Sequence, residues 1–253
     1  FLGRKGRINK IGKLARMHRN ARNLYKGSGF SASTWGHQVC GFTKSNLELL
    51  ERHGAKCTGI TPAGRCRYSA NCVAYGQYGH PKARIIRETL GTFFQLTFEM
   101  LRMHQESDLR DAWMEAKTQH DKVGAACIKG PLSVVIDMLK SFGWTPLSYN
   151  VWHTHEPDSS FIINSKEQST KTVINALIDR CNMLDADRAQ LHYCGEGMQG
   201  GVDWNTTLQW HNSSRISYPQ KCALETIMTA AVWPNLRVNQ FRPEVSKFCD
   251  RCG

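Results

Sequence analysis

The chain has 253 residues, 41% of them hydrophobic, with a net charge of +12 and ten cysteines. That apolar share supports a packed core and argues against general disorder, and no apolar run approaches the roughly 20 residues of a membrane span. The charge is local: residues 1–47 hold ten Lys/Arg and no acid, the first carboxylate being Glu48, so this block supplies +10 and the rest of the chain only +2.

A helix is expected over residues 7–26, where Ile8, Ile11, Leu14, Met17, Ala21 and Leu24 recur at steps of three and four and Gly27 and Gly29 follow as stops. Its other positions are filled by Lys10, Lys13, Arg16, Arg19 and Arg22, with Arg4, Lys5, Arg7 and Lys26 at its flanks. Such a face is either solvated or laid on an anion. With no acidic residue at i+4 to balance it, it would repel itself in isolation, which favours a phosphate backbone. The block also has the Arg-rich, acid-free composition of a mitochondrial transit peptide.

A second helix is expected over about 44–53, with Thr43 as N-cap and Gly54 just past its end. Residues 55–80 show no periodicity. Arg65 and Arg67 stand there among Tyr68, Tyr75 and Tyr78, a mixture that suits RNA contacts and ordinary loop packing equally. Pro81 opens the most apolar stretch, a central core helix with Ile86, Leu90, Phe93, Phe94, Met100 and Leu101. A mixed-charge helix follows over 108–120 around Trp113. Pro131 then opens another, with Leu132, Val135, Ile136 and Leu139 on one face and Gly143 closing it before Trp144 and Trp152.

Ser160–Ile163 is the one segment with strand alternation. Ser165 and Gln168 have capping-box spacing before a helix that carries Val173, Ile174, Leu177, Ile178 and Cys181. After a Gly-rich turn, a last helix is expected near 220–233, stopped by Pro234. The fold class expected is mainly α: helical bundle-like domains, divided as a basic segment 1–54, a helical core 55–155 and a C-terminal region 156–253.

Chemistry-bearing motifs are few. Cys249-x-x-Cys252 is half of a zinc site, whose other two ligands would lie outside this sequence. His53, Cys57, Cys66, Cys72 and His80 match no zinc-knuckle spacing and read as buried or idle. His153 and His155 read as loop histidines. Gly195–Gly201 lacks the Gly-Lys-Ser/Thr ending of a phosphate loop, and no nucleophile elbow, His-Glu-x-x-His or paired-carboxylate motif occurs. No cofactor other than that zinc is expected, and the chain reads as a non-enzyme. Ten cysteines without disulfide-framework spacing point to a reducing compartment, with mitochondrion and nucleus both open. A start at Phe1 and a stop just after a Cys pair read as a piece of a longer polypeptide.

Several stretches resemble the thumb and post-palm region of reverse-transcriptase-like proteins of protist non-long-terminal-repeat retroelements. Phe1-Leu2-Gly3 is similar to the Tyr-Leu-Gly element near the end of the palm, and the basic helix to the start of the thumb. SGFSASTWGHQVCGF resembles the thumb stretch leading into a second helix. Lys129-Gly130-Pro131, the Phe142-Gly143-Trp144 turn and the closing Cys-Asp-Arg-Cys-Gly are similar to the tails of such proteins and the start of their zinc knuckle. The palm's Tyr/Phe-x-Asp-Asp motif has no counterpart here. The resemblance implies a nucleic-acid grip without its catalytic centre: an RNA-binding component of a large ribonucleoprotein, such as an organellar ribosome, with other proteins as partners. Two other readings are the template–primer-binding tail of an active polymerase and an assembly subunit of a protein complex.

Overall fold

A computed structural model of the chain describes residues 2–62, 64–163, 167–192, 197–231 and 238–248. The fold is mainly α, with 67% of residues helical and one small three-stranded sheet. The chain folds as two compact units: one made of Phe1–Gly29, Glu51–His80 and Asp185–Gly253, the other of Phe30–Leu50 and Pro81–Leu184.

The first unit begins with α1 (Leu2–Met17). Its buried stripe is Ile8, Ile11, Gly12 and Ala15, one helical face at the i, i+3, i+4, i+7 spacing. Leu14, Met17 and Leu24, expected inside, are exposed, Met17 by 76%. The helix is also shorter than its periodicity implies. His18 adopts extended backbone angles (φ −136°, ψ 109°), a 3-10 turn runs over Arg19–Arg22, and Gly27 and Gly29 sit inside a π-helical turn, Tyr25–Phe30, rather than past a helix end.

The turn after α4 (Lys44–Lys56) receives the α1 stripe. A Cβ on Gly12 would stand 2.8 Å from the Lys56 carbonyl oxygen, and one on Gly59 would stand 2.1 Å from that of Ala15. The Cys57 thiol points to the Ile8 carbonyl at 3.6 Å. Gly59 also has φ +78°, so both its backbone angle and its lack of a side chain are required. Gly59→Ala is expected to lower stability by at least about 2 kcal/mol, read as a lower denaturation midpoint.

Thr43 does cap α4, its hydroxyl accepting from Asn46 N–H at 3.3 Å. Gly54, however, lies within that helix, where the Tyr75 hydroxyl donates to its carbonyl at 3.0 Å. Residues 55–80 are not irregular throughout: α5 (Arg67–Tyr75) is buried from Tyr68 onward. Its Tyr68, Cys72 and Val73, with the preceding Cys66, pack with Ala186, Ala189 and Trp204 into one core cluster. Trp204 opens α10 (Trp204–Asn212), with Asp203 as side-chain N-cap, and its indole N–H donates to the Tyr68 hydroxyl at 2.9 Å. The last helix described, α11 (Tyr218–Met228), starts from a Ser217/Gln220 capping box and ends before the expected residue 233.

The second unit contains the short helices α2 (Ser31–Thr34) and α3 (His37–Cys40) and the long α6 (Pro81–Arg102), α7 (Glu106–Val123) and α8 (Pro131–Ser141). Both prolines start their helices as expected. The three long helices pack on one another. The core is aromatic: Phe93 lies 5.6 Å from Trp113 and 5.8 Å from Trp152 between ring centroids, and Phe94 stacks on Trp152 at 5.8 Å.

Gly143, at φ +80°, turns the chain into β1 (Thr145–Pro146), which pairs antiparallel with β2 (Val151–His153) and through it with β3 (Ser160–Ile162). The register sets Trp152 opposite Phe161, and only β3 was expected. The helix α9 (Glu167–Ala189) buries Val173, Leu177, Ile178 and Cys181. The capping residue proposed for it, Ser165, lies outside the described residues, as do Cys249, Cys252 and Pro234.

Candidate nucleic-acid interface

Burial of Ile8, Ile11 and Ala15 fixes which way α1 turns its charges. Lys5, Arg7, Lys10, Lys13 and Arg16 all lie on exposed positions of the remaining circumference. Lys5, Lys10, Lys13 and Arg16 make no ion pair among the described residues, and Arg7 reaches only the Ser28 hydroxyl at 3.4 Å. Arg4 lies in the first turn, and its side chain is outside what the structure describes. The helix thus offers cations on successive turns with no competing carboxylate, an arrangement suited to phosphates spaced along a strand.

The next basic residues behave differently. Arg19 Nε sits 3.1 Å from Glu225 Oε2, and Arg22 Nη1 donates to Glu225 Oε1 at 2.8 Å. The Glu225 side chain, on α11, is only 3% exposed and also receives His211 Nε2 from α10 at 3.1 Å. Burial pushes this carboxyl up. The hydrogen bond from His211 and the charges of Arg22 and Arg19 outweigh that, leaving it below the ordinary carboxylate range. The tyrosine hydroxyl of Tyr218 accepts from Arg19 N–H at 3.3 Å, closing the group. Arg19 and Arg22 are therefore structural cations, tying the 3-10 turn to α11. Sequence reading missed Glu225, which carries no local signal.

Of the remaining candidates, Lys26 holds its ammonium 5.6 Å from the Tyr75 ring centre. Arg65 turns inward and donates to the Ile60 carbonyl, and burial pulls its guanidinium down to about 10. Arg67 is exposed at the first turn of α5. Tyr68 and Tyr75 are buried, their hydroxyls pushed up by burial, so neither ring is presented for stacking; Tyr78 is half-buried. The cysteines at 57, 66 and 72 are likewise buried. Among the described residues no group of three His, Cys, Asp or Glu could hold a metal ion, and the Cys249–Cys252 pair lies outside them.

A separate feature of the second unit had no place in the sequence reading. Trp35 is 93% exposed beside a cavity of about 450 Å³ lined by Ser31, Thr34, Gly36, His37, Gln38 and Glu88. Among the described residues no helix is long and apolar enough to cross a membrane. Comparison with family models, with curated proteins and with solved structures finds no match for this chain.

Proposed function

We propose that the chain is a non-catalytic RNA-binding protein whose grip is the outer face of α1. The observation that carries this reading is the set Lys5, Arg7, Lys10, Lys13 and Arg16: exposed, without a carboxylate partner, and held outward by the buried Ile8–Ala15 stripe. Arg67 is a further exposed cation. Arg19, Arg22 and Arg65 are excluded from the phosphate contacts because their guanidinium groups are used internally. Descent from the post-palm region of a retroelement reverse transcriptase, with a structural role in a large ribonucleoprotein, is the reading that the sequence resemblance supports.

The test is salt-dependent RNA binding. Each phosphate contact to a single strand steepens the slope of log K against log salt by about 0.7. Lys10→Gln with Lys13→Gln is expected to flatten that slope by about 1.4 and weaken binding at low salt. A slope unchanged in the double variant would remove α1 from the interface. Leu14 and Met17, exposed on the same helix, favour protein docking as a second reading. Under that reading the protein purifies free of nucleic acid and the double variant leaves RNA affinity unaltered.

A further inference from the structure

The cavity beside Trp35 combines features that ordinary surface packing does not need. A tryptophan left 93% exposed offers a full aromatic face at the rim. It is presented by a turn in which the next residue, Gly36, has φ +78°. Behind it, His37 is buried and its ring is oriented by a short hydrogen bond: Nδ1–H donates to the Thr34 carbonyl at 2.6 Å. Burial holds this imidazole below its ordinary value, against the Thr34 bond and the Glu88 charge, which push it up. In the neutral ring Nε2 is then a lone pair, and it has no hydrogen-bond partner.

What Nε2 faces is another acceptor. Glu88 Oε2 stands 3.7 Å away, too far for a hydrogen bond. Glu88 Oε1 is taken by Arg84 Nη2 at 3.1 Å, and the Arg84 guanidinium lies over the Phe30 ring at 4.0 Å. Two acceptors opposed across a gap call for a donor. A cation there would meet Arg84 beside the same carboxylate, so a neutral N–H donor fits better. Glu88 is the accessible member, its side chain 33% exposed against 2% for His37.

We propose that this hollow receives one unstacked RNA base bearing an exocyclic amino group, stacked on the Trp35 indole and donating to Glu88 at the His37–Glu88 gap. Adenine, cytosine and guanine carry that amino group. Uracil has no exocyclic amino group, and its one ring donor, N3–H, is flanked by two carbonyls that the carboxylate repels, so it is disfavoured. Stacking supplies affinity, while the accessible Glu88 carboxylate selects the base. The inference rests on the nucleic-acid reading above and adds a base contact, on the second unit, to the phosphate grip of α1.

The experiment is a titration of oligoadenylate, oligocytidylate and oligouridylate, each about twelve nucleotides long, at fixed salt. The wild type is expected to bind the first two more tightly than the third. Trp35→Ala, at a surface position that leaves the fold intact, should weaken the first two by about 5- to 100-fold. Glu88→Gln should abolish the preference, because an amide can donate to a uracil carbonyl. Equal binding of all three oligomers, or a Trp35→Ala variant as tight as wild type, overturns the base site. The phosphate grip on α1 still stands if the Lys10/Lys13 double variant loses affinity. Adenosine monophosphate, followed by tryptophan fluorescence against Trp35→Phe, separates the readings in the other direction. Quenching by the mononucleotide without oligomer binding keeps the base site and removes the RNA-binding reading. No response to either probe overturns both.

Discussion

Glu225→Ala is expected to destabilise the first unit by about 3–5 kcal/mol, the range for removing one member of a buried charge group. The glutamate is the single carboxylate facing Arg19, Arg22 and His211 in that group, and its side chain is 3% exposed. Without it, two guanidinium groups that are themselves mostly buried lose their counter-charge, and the 3-10 turn loses its tie to α11. Glu225→Gln is expected to recover only part of the loss, because a neutral amide keeps the shape but not the charge. The same contact sets an acid limit. The folded-state carboxyl lies below its ordinary value of 4.5, so its contribution is complete above that value and is lost as pH falls through the lower folded one. Denaturant midpoints measured between neutral pH and pH 3 should fall for the wild type. Over that window the Glu225→Ala variant should fall less. Equal pH dependence in both proteins would contradict this account.

In the second unit the largest effect is expected at Phe93. Its ring is 1% exposed and neighbours both Trp113 and Trp152, with Phe94 a further neighbour at 5.5 Å. Phe93→Ala removes a ring packed against two indoles that are anchored on α7 and β2, so the hole cannot close by side-chain movement alone. The expected cost is about 3–5 kcal/mol, with a smaller loss for Phe93→Leu, which keeps part of the filled volume. Thermal or denaturant unfolding of the two variants against wild type measures the difference. Similar losses for both would mean that the aromatic contacts, not the filled volume, dominate.

The helices that could be read from the sequence are those whose signals are redundant. α6 and α8 combine an opening proline with apolar residues on one face, and Gly143 closes the latter turn. The unread elements fail for physical reasons. In α5 every residue from Tyr68 to Tyr75 is buried, so no polar face exists to create a period. The strands β1 and β2 are two and three residues long, too short for alternation to register. The end of α1 at Met17 carries no Gly or Pro, and its outer apolar residues mimicked a buried stripe. Of the basic candidates, the residues of α1 could be placed because burial and exposure on a helix follow a local rule. Arg19, Arg22 and Arg65 could not, because a charge in a sequence has a sign but no partner, and their partners are set by tertiary folding. The hollow at Trp35 was equally hidden, since its lining joins residues 31–38 to Glu88, which only tertiary folding brings together.

The distance along the chain between Arg22 and Glu225, 203 residues, gives this protein a timetable. At about 5–20 residues per second, synthesis of the intervening segment takes roughly 10–40 s. Throughout that interval Arg19 and Arg22 stand without the carboxylate that later pairs with both. Folding of α11 is thus the step at which both guanidinium groups cease to be available to any other anion.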